Sequence, residues 1–347
     1  MSASQIIRGY RREIYLRGVA VAASLFALVL LVLVDLATGP SGLPIADVWH
    51  AILAGPSGGD RMTATIIWPI RLPQTLTGVL VGAALGVAGL QMQTILDNPL
   101  ASPFTLGFSA AAGFGAALAI MFGTWLPFPD YLAVPISAFL MTLLATSLVY
   151  GVARSHRATP EVLVLSGIAV LFFFQALQSL LQFMASPEVL QQIVFWLFGS
   201  LLKATWTSVA VILVIGLAVS PVILGDVWRL TALRLGDGTA ASLGLPIPEL
   251  RRRTLVTVSL LTAGAVCFVG TIGFVGLIAP HAARAAVGED HRHALPLAAI
   301  AGSVILVGAS VFGKLISPAA AIPVGIITAV AGVPMLFAVI ISRRSSS

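Results

Sequence analysis

Residues 72–96 read LPQTLTGVLVGAALGVAGLQMQTIL, a run with no charged side chain. At about 1.5 Å of rise per residue, a helix of this length exceeds the roughly 30 Å of hydrocarbon in a bilayer. Gly78, Gly82 and Gly86 recur every fourth position. They therefore form one stripe of small residues, along which a neighbouring backbone can approach closely. Such stripes are common in packed membrane bundles and do not by themselves specify a function. Reading this stretch as a membrane-spanning helix settles the class: the chain is expected to be all-α and polytopic.

The rest of the chain repeats the pattern. Of its 347 residues, 58% are hydrophobic and 9% charged, against roughly 25% charged in soluble domains. Apolar runs place spans at about 15–37, 72–96, 104–123, 131–153, 161–185, 205–225, 254–272, 274–287, 294–314 and 323–341. The eighth is short, because Gly270, Gly273 and Gly276 blur where one helix ends. With the N-terminus inside, Arg8, Arg11, Arg12, Arg17, Arg154, Arg157, Arg229, Arg234, Arg251, Arg252, Arg253, Arg284, Arg292, Arg343 and Arg344 all fall on the inner side. Only Arg61, Arg71, Lys203 and Lys314 remain outside. That asymmetry requires an even number of spans with both termini inside, and favours ten. The first apolar run lacks a cleavage site after a short core, so it reads as a retained span. The net charge of +6 is scattered between spans, which reads as orientation of the helices and not as nucleic-acid binding. The single cysteine, Cys267, lies in an apolar run and supports neither a disulfide framework nor a thiolate zinc site.

Two loops exceed what a connection needs. The outer segment 38–70 carries Gly and Pro breakers around a short helical stretch, Ile45 to Leu53. The inner segment 226–252 reads as one or two short helices from Arg229 to Leu243, then a turn from Gly244 to Pro248. A helical loop of that size generally exists to be touched by something.

Residues that could carry chemistry mostly fail the test of context. Gly308-Ala-Ser-Val-Phe-Gly313-Lys314-Leu315 imitates the start of a phosphate-binding loop. However, Leu315 stands where a magnesium-binding hydroxyl is needed, and no strand precedes the segment. Any ATP-driven work must come from another polypeptide. Ser109 in Gly107-Phe-Ser-Ala-Ala lacks the second glycine and the partner histidine of an intramembrane protease. His50, His156, His281, His291 and His293 are expected near the membrane surfaces, and His291 and His293 have the wrong spacing for one helical face. No metal site is expected. The 13 acidic residues fall at span ends or in loops, with Asp35 and Glu161 closest to apolar runs, which argues against proton or sodium coupling. The intramembrane polar residues are amides. Gln175, Gln178 and Gln182 share one face of the fifth span and read as the lining of a path, with interhelical hydrogen bonding as the alternative. Gln91 and Gln93 lie toward the inner end of the second span.

Several segments in order resemble one family, the iron-chelate (siderophore), haem and cobalamin permeases of ABC importers, the FecCD type with a type II importer transmembrane fold. They are Arg71-Leu-Pro-Gln74, Leu80 to Gly89, Asn98-Pro-Leu-Ala101-Ser-Pro-Phe-Thr-Leu-Gly107 and Leu243-Gly244. Gly270-Thr-Ile-Gly-Phe-Val-Gly-Leu-Ile-Ala-Pro280-His281, Asp290-His291-Arg292 and Ile322-Pro-Val-Gly325 complete the set. Each is weak alone, but the ordered combination spans essentially the whole chain and is specific. The resemblance implies a single permease domain over 1–347 with ten transmembrane helices, multi-pass in a bacterial cytoplasmic membrane, both termini cytoplasmic. It implies a second permease subunit (a copy or a paralogue), two ATPase subunits holding ATP and magnesium, and a periplasmic or lipid-anchored binding protein. No catalysis and no cofactor of the chain's own are implied.

By the same resemblance, Asn98 and Leu100, with the turn at Ala158 and Thr159, form a cytoplasmic gate. Gln175, Gln178 and Gln182 line the path, and Gly238, Ala240, Ala241, Leu243 and Gly244 form the ATPase-coupling element within 226–252. Arg71 and Lys314 would meet carboxylates on the binding protein. Two positions depart from the family pattern: Gln74 replaces a second arginine, and Ile322 replaces a glutamate before Pro-Val-Gly. The cargo implied is an iron chelate, with Ser102-Pro-Phe-Thr-Leu-Gly107 favouring a ferric siderophore over haem or cobalamin. Classes outside the family are an ion-coupled secondary transporter and an intramembrane enzyme.

Overall fold

The computed structural model describes residues 3–58, 60–123, 127, 129–155, 158–317 and 322–344. His156 and Arg157, expected at the inner surface, lie outside the described residues. The described chain is helical throughout, with no strand. In order it runs α1 (Ala3–Ala37), α2 (Ile45–Ala54), α3 (Arg61–Ile66), α4 (Leu72–Ile95), α5 (Phe108–Phe122), α6 (Asp130–Ser155) and α7 (Pro160–Met184). It continues through α8 (Pro187–Leu197), α9 (Trp206–Gly225), α10 (Val227–Leu233), α11 (Asp237–Ser242), α12 (Ile247–Val269), α13 (Val275–Val287), α14 (His291–Ile316) and α15 (Val324–Arg344).

Each span drawn from the sequence coincides with a helix. Seven are long and apolar enough to cross a membrane; Phe108–Phe122, Val275–Val287 and Val324–Phe337 are shorter apolar helices. α3 runs into α4 through one π-helical turn at Ile67–Arg71. Pro69, which has no N–H to donate, sits within that turn. Start signals are local: Thr159, Ser186 and Asp290 accept backbone N–H bonds at the heads of α7, α8 and α14, and Pro160 and Pro187 occupy first-turn positions.

α4 is the axis of the bundle. Much of α4 and α12 is buried, whereas α1, α7 and α9 keep wide apolar faces outward. The glycine stripe explains the arrangement. A Cβ on Gly82 would lie 2.4 Å from the Gly302 carbonyl oxygen, and one on Gly86 would lie 2.2 Å from that of Ala298, so α4 and α14 touch backbone to backbone. The next small residue, Gly89, meets the Gly276 backbone of α13 in the same way. Ser303 closes the seam, donating from Oγ to the Val79 carbonyl at 2.7 Å.

Two helices stand outside the elements drawn from the sequence, α3 in the outer segment and α8. α8 is too short to register as a span, although Ser186-Pro187-Glu188 is a regular helix start. The blurred region after Val269 is a true break. Gly270 (φ +78°) and Phe274 (φ +65°) have positive φ, and the residues between them belong to no helix. Protein groups satisfy the break, as backbone in a hydrocarbon region requires. Ser200 N donates to Val269 O at 2.7 Å, Thr271 Oγ1 donates to Leu197 O, and Gly325 N donates to Gly199 O at 3.2 Å.

Candidate functional site

Three regions carry polar side chains in positions that bear on transport: an arginine-rich end, the α7–α8 face with its chamber, and the opposite end.

At the arginine-rich end, α10 and α11 form the loop between α9 and α12, broken at Gly236 (φ +94°) and closed by a turn at Gly244 (φ +79°). Of the expected coupling residues, Ala240 is buried, whereas Gly238, Ala241, Leu243 and Gly244 are exposed. Trp228, Leu235 and Leu243 are each more than 60% exposed, an apolar surface among charges. Arg292 stacks over Trp228, its guanidinium carbon 4.1 Å from the ring centroid. The same Arg292 hydrogen-bonds Asp290 and holds that carboxyl below the usual carboxylate range.

The turn after α4 lies against this loop. Asn98 and Leu100 are exposed, and Asn98 Oδ1 accepts from Leu100 N at 2.9 Å. Ala158 is buried with φ +51°, and Thr159 caps α7 through Oγ1. At the second turn it is therefore Thr159, half-buried, and not Ala158, that keeps any access to solvent.

Five charges at this end form two linked groups, Arg251 with Asp237 and Arg234 with Asp97 and Glu289. Arg251 is 2% exposed; its Nε donates to Ile95 O at 2.9 Å, and its two terminal nitrogens grip the Asp237 carboxylate at 2.8 and 2.9 Å. Arg234 reaches Glu289 at 3.1 Å and Asp97 at 3.4 Å. Nothing in the local sequence signals these pairings. His291, expected near the surface, is instead buried: Nε2 lies 2.9 Å from Thr94 Oγ1, and its backbone N–H donates to Thr231 Oγ1. Among the described residues, no three His, Cys, Asp or Glu side chains gather as a metal site.

Along α7, Gln175 is exposed and Gln178 and Gln182 are half-buried. The Gln178 amide packs over Gly113 of α5, where a Cβ would lie 2.4 Å from its oxygen. A cavity of about 530 Å³ against α8 is lined by Gln191, Gln192, Trp196 and Lys203, together with Phe268 and Pro323. Adjoining its lining residues Ser200, Val269 and Pro323 is a knot of Gly199, Gly270 and Gly325, where carbonyls of Trp196, Phe198 and Thr271 pack too closely for any side chain. Two family-like motifs far apart in sequence, at 270–281 and 322–325, thus meet α8.

The opposite end departs from expectation. Arg71 and Lys314 are 5% and 8% exposed and turn inward. Arg71 donates to the Leu36 and Ala37 carbonyls at 2.6 and 3.0 Å and to Ser41 Oγ, satisfying the free carbonyls at the end of α1. Lys314 Nζ pairs with Asp35 Oδ1 at 2.8 Å, and Thr75 donates to the other carboxylate oxygen. These two cations stitch α1, α4 and α14 together. Asp35, placed by sequence at a span end, is likewise buried at 1% exposure. The false phosphate loop at Gly308–Leu315 is an ordinary stretch of α14.

Comparison with known proteins bears on this geometry. Residues 27–342 match the FecCD transport family. A cobalamin import system permease protein of Halobacterium salinarum is 36% identical over 87% of this chain and 81% of its own length. An Fe(3+) dicitrate transport system permease protein of Escherichia coli is 32% identical over 85% of this chain and 91% of its own. Among solved structures, an inward-facing ABC transporter assigned to the metal-chelate type superposes with a TM-score of 0.82 at 31% identity, over 93% of this chain and 98% of that one.

Proposed function

The chain belongs to the FecCD transport family and is a multi-pass ABC importer permease, and from that premise we propose that it moves a ferric siderophore across the cytoplasmic membrane. In this reading both termini are cytoplasmic, the permease pairs with a second permease subunit, and a binding protein delivers the chelate. ATP and magnesium sit on two ATPase subunits; the chain catalyses no covalent change and holds no cofactor.

The observation that carries the reading is the exposed apolar surface of α10 and α11. Trp228, Leu235 and Leu243 lie open on a loop of an otherwise arginine-rich end, as a docking element for a separate protein requires. Gly238, Ala240, Ala241, Leu243 and Gly244 belong to that element. ATP binding would draw the ATPases together and move it. Only the relative stability of inward- and outward-facing states then has to change. Asn98, Leu100 and the Ala158–Thr159 turn serve as the cytoplasmic gate, and Gln175, Gln178 and Gln182 face the path. The Lys203-bearing, aromatic-walled chamber supports an anionic, partly apolar chelate.

Cobalamin is the second reading, favoured by the similarity to the haloarchaeal permease. The test is uptake into proteoliposomes holding this chain, its ATPase and its binding protein, with iron-55 ferric hydroxamate, iron-55 ferric citrate and cobalt-57 cobalamin as probes. ATP-dependent accumulation of the hydroxamate supports the siderophore reading, and accumulation of cobalamin alone replaces it. Uptake by the chain without ATPase refutes the ABC mechanism altogether.

A further inference from the structure

We propose that Arg251 is a positioning residue for the transport cycle: it ties the first residue of α11 to the last residue of α4, so that a displacement of the loop helices is carried directly to the turn at Asp97–Leu100. The inference rests on the permease reading and deepens it by naming the link between docking element and gate.

The geometry assigns each of the donors used. Ile95 ends α4, so its carbonyl has no helical partner. Arg251 Nε supplies one at 2.9 Å, across 156 positions of sequence. The remaining fork of the planar guanidinium holds both oxygens of Asp237, at 2.8 and 2.9 Å. Arg251 itself is 2% exposed on the first turns of α12. Asp237, by contrast, is about half exposed, on the six-residue helix that carries Gly238, Ala240 and Ala241. A pull on α11 must either drag Arg251 and the end of α4 with it or break two charge-assisted bonds.

A second, looser strap runs in parallel. Arg234, at the end of α10, reaches Asp97 at 3.4 Å and Glu289 at 3.1 Å. Asp97 has φ +44°, an uncommon backbone for a residue other than glycine. The turn is therefore held from both loop helices, and the tighter, drier hold is the one through Arg251.

The test uses the assembled transporter of this chain, its ATPase and its binding protein in nanodiscs, with Leu100→Cys as reporter. Native Cys267 is 3% exposed and stays silent to a membrane-impermeant maleimide. The parent is expected to change its labelling rate about 5–150-fold between nucleotide-free and ATP–vanadate-trapped states, the usual range for coupled sites. Asp237→Asn, at a solvent-facing position where folding should survive, is expected to cut that change below about 2-fold while ATP is still hydrolysed. Asp237→Glu should restore it. A full parental response in both Asp237→Asn and Arg251→Ala overturns the inference and leaves the permease reading standing. A parent that binds no ATPase, or whose labelling ignores nucleotide, overturns the permease reading and the inference with it.

Discussion

Replacing Gly82 by alanine tests the axis of the fold. The new methyl would lie 2.4 Å from the Gly302 oxygen, 2.6 Å from Ser303 Cα and 2.7 Å from the Gly302 carbonyl carbon. All three are backbone atoms, so no rotamer change can relieve the clash, and α4 and α14 must part by at least about 0.6 Å. Overpacking of this kind costs about 1–3 kcal/mol, and loosening the Ser303–Val79 bond adds about 0.5–1.5 kcal/mol. Alanine also gains up to about 1 kcal/mol of helix propensity. The control Gly151→Ala makes the same gain in α6 with nothing within 4 Å of the added methyl. The difference between the two variants thus isolates the packing cost, about 2–4 kcal/mol. At roughly 2 °C per kcal/mol for a long chain, Gly82→Ala should melt about 4–8 °C below Gly151→Ala. Buried Cys267 is the only cysteine, so a thiol-reactive fluorogenic dye in detergent reports unfolding directly. Midpoints within about 1 °C of each other would refute backbone-to-backbone packing of α4 on α14.

Lys314→Met should destabilise the chain by about 3–5 kcal/mol, because it leaves the Asp35 carboxylate buried without its cation. The double variant Asp35→Asn with Lys314→Met should recover most of that loss in the same melting assay, and a purely additive result would deny the pair. Leu243→Asp, on the exposed loop surface, should weaken binding of the ATPase subunit by about tenfold or more without moving the melting midpoint, as measured by titration of the labelled ATPase. Replacing Gln175, Gln178 and Gln182 together by leucine should lower uptake while sparing ATPase binding. Unchanged uptake would mean that this face packs against a partner or lipid and lines no path.

The sequence by itself determined what depends on local composition. A run without charge that is longer than a bilayer is thick can satisfy its backbone only as a helix, so residues 72–96 and nine other runs were legible as spans. Arginine asymmetry and the ordered motifs pointed to the permease family before any geometry was known. The glycine stripe announced a close helix contact without saying with which helix; only the fold shows that Gly82 meets Gly302 and Gly89 meets Gly276. Side-chain partners were decided by tertiary structure. Arg71 and Lys314 are outer-end cations in sequence, but burial made them internal fasteners, because a buried charge is tolerable only when paired or hydrogen-bonded. Arg251 looked like one basic residue of three in a row. Its neighbours Arg252 and Arg253 are more exposed, and the turn of α12 alone chose which of the three enters the protein to join Ile95 and Asp237. Helical periodicity sets which residues share a face, but which face meets which partner depends on contacts between segments more than a hundred residues apart.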